Sequence, residues 1–221
     1  MAKRVHNKMG KTEMWYVLDA KPGSYLYCGF KTKISKEEYK QRIADGTITD
    51  VLQKHEVKAG DVFYILSGTV HAICSGLLVA EIQQSSDLTY RIFDYNRPGL
   101  DGKPRQLHVD LAAEALNFKA GTNYQSQYQY HEGQANTVVS SPYFNVRVLD
   151  IDHSMHCDIR QRDSFVILMC LEGDCHIHVH STGEDVTLRH GYSAMIPAAI
   201  ADYDIVADSS NGKSKVIDAF L

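Results

Sequence analysis

The sequence predicts a mostly β protein built from two β-barrel or jelly-roll modules, with a small helical insertion in the first module. Three observations support this prediction. Short β-rich segments recur between turn residues, two stretches of the chain repeat one pattern, and a single stretch has helical spacing. With 221 residues, the chain is long enough to bury the cores of two such modules.

The predicted strands are short runs rich in β-branched and aromatic residues, and Gly, Pro, Asp or Asn bounds each run. Regular spacing of such runs is typical of a sandwich or a barrel. The clearest runs are WYVLDA, YLYCGF, VFYIL, LLVAEIQ and YRIFDY in the first half and FNVRVLDID, FVILMCL and CHIHVH in the second half.

A helical insertion is predicted at about residues 35–53. Ser35 followed by Glu38 forms a capping box, in which each side chain caps a backbone N–H of the other residue. Tyr39 and Ile43 follow at helical spacing and give the segment an apolar side.

An internal repeat supports the two-module prediction. Residues 15–18, with the Gly turn that follows, match residues 165–168 at an offset of 150. Residues 57–65 match residues 188–196 at an offset of 131, and the difference of 19 equals the length of the segment 35–53. We therefore expect two copies of one module, of which only the first carries the insertion; chance similarity between β-rich segments is the weaker interpretation.

The predicted domain organisation has three parts. Residues 1–97 form the catalytic module, residues 98–129 a linker with a short helix, and residues 130–221 the C-terminal module, which is expected to lack a metal site. The linker is predicted because RPGLDGKPRQ contains two Pro and two Gly without periodicity, and HVDLAAEAL after it is a short possible helix.

Composition restricts the classes of function and location. The net charge of −4 and the scattered Lys and Arg residues do not favour nucleic-acid binding, so a small molecule is the expected partner. Five cysteines without a C-x-x-C pair argue against a disulfide framework or a zinc knuckle and favour the reducing cytoplasm. The apolar runs are too short to span a bilayer, so no membrane partner is expected.

Glu13 and His71 are the candidate metal ligands. Glu13 comes just before the first predicted strand and His71 lies eleven residues after Gly60. Carboxylate plus neutral imidazole suits a divalent ion such as zinc, whereas most isolated Glu and His residues lie on the surface. Carried across the repeat, His71 falls on Asp202, so the modules are predicted to differ chemically.

Three segments, GKTEMWY, AGDVFYILSGTVHA and EIQQSSDLTYR, resemble the short bacterial form of type I mannose-6-phosphate isomerases, which are cupin proteins. The resemblance covers the first half of the chain closely and the second module more loosely. It implies that Glu13 of G-K-T-E and His71 of G-T-x-H-A are zinc ligands. It also implies that Lys11 and Arg91 line the substrate site.

The family pattern and this sequence differ in the segment that precedes G-K-T-E. The family places a Q-x-H-P-N segment there, whose Gln and His complete the metal site, whereas the printed sequence opens with MAKRVHNKMGKTE. We therefore expect the printed chain to match the family pattern from just after that segment. His6 is a substitute ligand only in principle, because nothing in its spacing supports the role.

The activity that the resemblance implies is the zinc-dependent interconversion of mannose 6-phosphate and fructose 6-phosphate through an enediol. Arg91 and Glu81 are the candidate catalytic residues, and Lys11 and Gln83 are the candidate substrate-binding residues. Strand alternation places Glu81 and Gln83 on one face with Val79, and an inward orientation of that face would bring both to the site. Solvent-exposed charge is the alternative interpretation for Arg91, Lys11 and Glu81.

Two alternative functions remain open. In the first, the chain is a non-catalytic or vestigial sugar-binding cupin. In the second, it is a metal-dependent oxygenase that uses the histidines of the second module. His176, His178 and His180 alternate along one predicted strand and imitate a metal motif together with Glu184. The repeat aligns that strand with a segment of the first module where no ligand is expected, so we favour a solvent-facing histidine row.

Overall fold

A computed structural model describes residues 7, 9–95, 97–99, 101–121, 123–208 and 212–221 of the chain. The chain folds into two compact units, Met1–Ser126 and Gln127–Leu221. Unit one contains strands β1 (Glu13–Ala20), β2 (Tyr25–Phe30), β3 (Leu52–Glu56), β4 (Val62–Ile65), β5 (His71–Ile73) and β6 (Leu77–Gln83) and helices α1 (Lys36–Ala44) and α2 (Val109–Ala115). Unit two contains β7 (Ala135–Ser140), β8 (Asn145–Asp152), β9 (Ser154–Asp158), β10 (Val166–Glu172), β11 (Cys175–Val179), β12 (Glu184–Leu188), β13 (Ser193–Ile196), β14 (Asp202–Ala207) and β15 (Lys213–Phe220).

Each unit is built from two antiparallel sheets with the same strand order. In unit one the sheets are β4-β1-β6 and β3-β2-β5, and in unit two the corresponding strands are β13-β10-β15 and β12-β11-β14. In unit two, β8 and β7 extend the first sheet beyond β15, and β9 extends the second sheet beyond β14. The predicted mostly β fold and its repeated module are confirmed, but the strand pairing shifts the repeat in β1. Ile65 corresponds to Ile196, and their partners Glu13 and Val166 are 153 residues apart rather than the predicted 150.

Alternation along the strands assigns side chains to two faces of each sheet, and in β1 both faces are buried from Glu13 to Val17. In unit one, Trp15 on β1 packs with Leu26, Cys28, Phe63 and Ile65. In unit two, the apolar residues of β10, β11 and β14 form a larger cluster in the same way. The interior face of β1 begins at Glu13, so a charged side chain starts a row that is otherwise apolar.

The insertion in unit one is a shorter helix than the sequence predicts. The Ser35 hydroxyl accepts a hydrogen bond from the Glu38 N–H at 3.1 Å, and this predicted cap starts α1. The helix ends at Ala44 because Gly46 takes a φ of 69°, a left-handed conformation that stops helices. A 3₁₀ turn, Ile48–Val51, follows and leads directly into β3.

One predicted strand is wrong. The run YRIFDY, residues 90–95, forms no strand, although its apolar pattern suggests one. Its side chains Tyr90, Ile92 and Phe93 instead pack against the apolar cluster that includes Tyr39 of α1 and the alanines of α2. Burial against helices therefore satisfies the same pattern that would suit a sheet.

The segment after residue 97 packs within unit one. Helix α2 contacts α1, and the Tyr39 hydroxyl donates a hydrogen bond to the Val109 carbonyl at 3.2 Å. The division into residues 1–97, 98–129 and 130–221 stays a prediction of functional organisation. Within the part of the chain that the structure describes, no helix has the length and apolarity needed to cross a membrane.

Candidate functional site

Strand β1 buries a carboxylate at the edge of the interior of unit one. Glu13 pairs with Ile65 on β4 and with Gln83 on β6, and its side chain is 0% exposed. A fully buried carboxylate is costly unless cations compensate for the loss of hydration. The groups around Glu13 therefore define what the site can hold.

His71, at the start of β5, faces the Glu13 carboxylate from the neighbouring sheet. The Nδ1–H of His71 donates a hydrogen bond to the Thr69 carbonyl at 2.8 Å, since a carbonyl oxygen only accepts. The Trp15 ring contacts the imidazole edge-on, with ring centroids 5.2 Å apart. These two contacts fix the orientation of the imidazole and direct Nε2 towards Glu13.

The closest approach between the two residues fits a shared cation. Glu13 Oε1 lies 2.7 Å from His71 Nε2, yet it makes no hydrogen bond of regular geometry with any residue that the structure describes. In a neutral His71 the proton is on Nδ1, so Nε2 and Oε1 both present lone pairs and repel each other unless a cation lies between them. A carboxylate oxygen and an imidazole nitrogen are a donor pair that suits a divalent metal such as zinc.

Lys11 links Glu13 to a second carboxylate. Its ammonium contacts Glu13 Oε2 and lies 3.1 Å from Glu81 Oε1. Burial raises the pKa of the Glu13 carboxyl, but His71 in its imidazolium form and the Lys11 ammonium lower it more, so the pKa lies below its ordinary 4.5. Burial lowers the pKa of Lys11, but Glu13 and Glu81 outweigh that effect and hold the pKa above 10.5. Glu13 is therefore an anion at neutral pH, which metal binding requires.

A cavity of about 680 Å³ opens beside these residues. Lys11, Glu13, His71 and Arg91 all line it, so four of the six predicted site residues lie around one space. The volume is within the range of small-molecule sites. Arg91 is held only weakly, because its Nη1 donates to the Gln106 carbonyl at 3.4 Å, and its guanidinium remains suited to an anionic ligand.

The other two predicted residues, Glu81 and Gln83, are not among the residues that line the cavity. Glu81 lies opposite Trp15 on the shared interior face, and its Oε2 accepts a hydrogen bond from the Trp15 indole N–H at 2.9 Å. Gln83 is exposed and donates to the Ser86 carbonyl at 3.4 Å. Glu81 reaches the site through Lys11, whereas Gln83 does not, and the roles of both residues stay predictions. His6 lies outside the described residues.

Sequence reasoning missed an ion cluster at the same cavity. Asp94 accepts hydrogen bonds from Arg97 at 2.9 Å and from Arg105 Nε at 2.6 Å, and all three residues line the cavity. The sequence predicts a connector for the loop that carries both arginines, because the loop contains two Pro and two Gly without periodicity. The available signal was an aspartate followed by two arginines, but only the folded loop brings them together.

Comparisons with known proteins agree with this geometry. A family model described as "Mannose-6-phosphate isomerase, cupin domain" matches residues 134–214. A mannose-6-phosphate isomerase of Streptococcus mutans is 37% identical over 211 residues, which cover 92% of this chain and 65% of the relative. The chain thus spans slightly less than two thirds of that relative's length.

Solved structures give the same result. The crystal structure of the mannose 6-phosphate isomerase from Bacillus subtilis matches with a TM-score of 0.86 and 31% identity, over 100% of this chain and 68% of that chain. A putative mannosephosphate isomerase from Archaeoglobus fulgidus, with a TM-score of 0.75 and 20% identity, shows the shared fold.

The fold and the site define a class of protein first. Two repeated two-sheet modules, with a carboxylate and an imidazole converging inside the first, are the features of a two-module cupin protein. The matches then specify the family: the chain belongs to the mannose-6-phosphate isomerase family.

Proposed function

We propose that this chain carries the zinc-dependent centre that interconverts mannose 6-phosphate and fructose 6-phosphate. The observation that supports this most directly is the 2.7 Å approach of Glu13 Oε1 to His71 Nε2 beside a cavity lined by Lys11 and Arg91. The sequence prediction of a cytoplasmic enzyme is part of this proposal.

The isomerisation moves one proton between C1 and C2 of the sugar. Bound zinc would supply Lewis-acid stabilisation of the enediolate that forms when the C–H bond breaks. Glu13 and His71 would hold the metal, and Glu13 is already deprotonated for that purpose at neutral pH.

Arg91 is the proposed partner of the phosphate group. Arg97 and Arg105 are paired with Asp94, whereas the hydrogen bond from Arg91 to Gln106 is long at 3.4 Å. A planar guanidinium can donate two parallel hydrogen bonds to a phosphate. Binding through the phosphate would place the sugar carbonyl towards the Glu13 end of the cavity.

Lys11 and Glu81 are the proposed pair for proton movement. Glu81 accepts hydrogen bonds from Lys11 and Trp15, so both carboxylate oxygens already have partners. Such a carboxylate orients Lys11, and it acts as the proton carrier only if substrate binding releases one of these contacts. Gln83 is kept as a proposed substrate contact on the same face of β6.

The test measures isomerase activity and metal content together. Activity is assayed in the printed chain and in a chain extended upstream through a Q-x-H-P-N segment. His71→Ala is expected to remove the equivalent of zinc held by Glu13 and His71 and to lower kcat/KM at least about 10³-fold, or about 4 kcal/mol. The matched control is His153→Gln, because His153 is 83% exposed in unit two. Sugar phosphate binding without turnover in both chains would contradict the proposal and support the non-catalytic alternative.

Two further variants separate the roles of the polar residues. Arg91→Met is expected to raise KM for the sugar phosphate more than it lowers kcat. Glu81→Gln is expected to lower kcat by about 10²-fold or more if Glu81 carries the proton, with loss of the acidic limb of the pH profile. An unchanged pH profile in Glu81→Gln would reduce Glu81 to a positioning residue for Lys11.

A further inference from the structure

The exposed face of unit two carries a second group of potential metal ligands. Strands β9, β14 and β11 are neighbours, and Asp204 on β14 lies directly opposite His156 on β9. His180 follows β11, beyond the pairing of Val179 with Tyr203. Because Val179 and Tyr203 belong to the apolar core, their polar neighbours lie on the opposite, solvent-facing side of the sheet.

Carboxylates hold the two imidazoles together. Asp204 lies 2.8 Å from His156 Nδ1 through one oxygen and 3.0 Å from His180 Nε2 through the other. The two rings are stacked, with centroids 5.4 Å apart and planes 13° from parallel. Asp202 lies 3.0 Å from His180 Nδ1, so His180 has a carboxylate at each ring nitrogen.

This arrangement requires a cation. A neutral imidazole has a single N–H, so it satisfies only one of two flanking carboxylates, and the other contact sets two lone pairs against each other. A protonated His180, with an N–H at each ring nitrogen, satisfies both carboxylates because it is a cation. A metal ion meets the same demand with more charge in the same place.

We propose that His156, His180 and Asp204 form a second metal site that takes a borderline dication such as Zn²⁺ or Co²⁺. One ligand atom from each of the three residues lies within 4.8 Å of the others. Two imidazoles and a carboxylate are a common zinc ligand set, with Zn–N and Zn–O distances of about 2.0–2.2 Å. Water would complete the coordination.

Asp202 has the role of an orienting residue in this site. Metal-bound histidines usually donate their second N–H to a carboxylate, which fixes the tautomer and the ring orientation. His180 Nδ1 is 3.0 Å from Asp202, while its Nε2 faces Asp204 and His156. The site therefore has its supporting hydrogen bond before metal binds.

The proposed site is different from the histidine row that the sequence suggests. His176 is paired with Asp208 at 2.7 Å and His178 with Asp185 at 2.8 Å, so each of them has its own carboxylate. Only His180 of that row takes part, and Glu184 does not. Strand β9 supplies the essential second imidazole, His156, which no sequence spacing links to the row. The proposal replaces the expectation of a C-terminal module without a metal site.

Titration with Co²⁺ tests the proposal independently of catalysis. In a Glu13→Gln/His71→Ala chain, one equivalent of Co²⁺ is expected to bind and to give visible absorption. Adding His156→Gln/His180→Gln is expected to abolish that binding, and His176→Gln is the matched control that keeps it. The proposal is overturned if the residual equivalent survives the loss of both histidines, or if no Co²⁺ binds to the background chain.

Two more measurements complete the test. In the otherwise unchanged chain, His156→Gln/His180→Gln is expected to remove one equivalent of metal and to leave the equivalent at Glu13 and His71. Retention of both equivalents would contradict the proposed second site. Asp202→Asn is expected to weaken binding by about 10–100-fold without changing the stoichiometry. The side chains of His156, His180 and Asp202 are partly or largely exposed, so their substitution should leave the circular dichroism spectrum of the parent chain unchanged.

Discussion

The interior faces of the two units share a backbone plan and differ in chemistry. In unit one, Glu13 pairs with Ile65 on one side of β1. In unit two, Val166 pairs with Ile196 on the corresponding side of β10. The same position in the repeated sheet thus holds a carboxylate in one unit and an apolar side chain in the other. The fold therefore supplies the position, and a single residue decides whether that position presents an anionic or an apolar side chain.

The histidine position shows how sensitive this difference is to register. The repeat spacing places Asp202 at the position of His71, but Asp202 faces solvent, whereas His71 faces the interior beside Trp15. The interior residue of unit two is Tyr203, one position further along β14. A shift of one residue moves a side chain to the other face of a sheet.

Each unit also contains an aspartate held between two arginines, in different surroundings. Asp218 in unit two is 0% exposed and contacts Arg147 Nε at 3.0 Å and Arg162 at 3.4 Å. Asp94 in unit one contacts Arg97 and Arg105, whose side chains are 63% and 39% exposed. The cluster in unit two is therefore structural, while the cluster in unit one lies at the rim of a binding cavity.

The largest effect is expected when Glu13 of unit one is replaced by valine, the residue at the corresponding position of unit two. Glu13→Val removes the proposed carboxylate ligand, so the equivalent of zinc at Glu13 and His71 should be lost and kcat/KM should fall at least about 10³-fold. Metal analysis and the isomerase assay measure both changes. Val166→Ala is the control, because it creates a cavity in unit two, lowers stability by about 1–3 kcal/mol and leaves the metal content unchanged.

Next in size is the loss of the buried aspartate of unit two. Asp218→Asn leaves the charges of Arg147 and Arg162 without their shared counter-ion, and the free energy of unfolding should fall by about 3–5 kcal/mol in urea titrations. Asp158→Asn is the matched control, since the Asp158–Arg160 pair is exposed and should contribute less than about 1 kcal/mol. Equal effects in both variants would contradict the distinction between buried and exposed clusters.

A pH dependence distinguishes the aspartate of unit one. Hydrogen bonds from Arg105 and Arg97 hold the pKa of Asp94 well below its ordinary 3.8. Because the folded-state pKa is lowered, the stabilisation is fully present above the unfolded pKa and disappears as pH falls through the folded pKa. The difference in Tm between the unchanged chain and Asp94→Asn should therefore be constant above about pH 5 and shrink in acid. A difference that grows with acidity would contradict this assignment.

The smallest effect concerns two buried tyrosines. The Tyr203 hydroxyl lies against the Cys157 thiol without regular hydrogen-bond geometry and has no hydrogen-bond partner among the described residues. Tyr203→Phe should therefore raise the free energy of unfolding by about 1 kcal/mol, whereas Tyr39→Phe removes the hydrogen bond to Val109 and should lower it by a similar amount. The two variants should therefore change the free energy of unfolding in opposite directions, and urea titrations measure both changes.

The sequence predicted the fold well because strand alternation, turn residues and a repeat are local signals. It predicted the Ser35 cap for the same reason. It failed at residues 90–95, where helices rather than a partner strand cover the apolar side chains. The resemblance to the family motifs predicts Glu13 and His71 as metal ligands, and the structure shows that the two side chains approach each other.

The remaining site features depend on contacts between segments far apart in the chain. Asp94, Arg97 and Arg105 meet only because the loop folds back, and Glu81 reaches the site only through Lys11. His156 and His180 belong to strands separated by β14. Neither spacing nor composition encodes such convergence, so these groups were found only in three dimensions.

The atom that fixes the His71 tautomer belongs to the main chain, at the Thr69 carbonyl. This hydrogen bond is therefore independent of the side chain at residue 69, because every amino acid supplies the same oxygen. Gly68 is the constrained neighbour, since its φ is 93° and an added Cβ would lie 2.7 Å from the Ala115 carbonyl oxygen. Substitution of Gly68 is therefore expected to disturb this contact more than substitution of Thr69, although Thr69 is the residue that makes it.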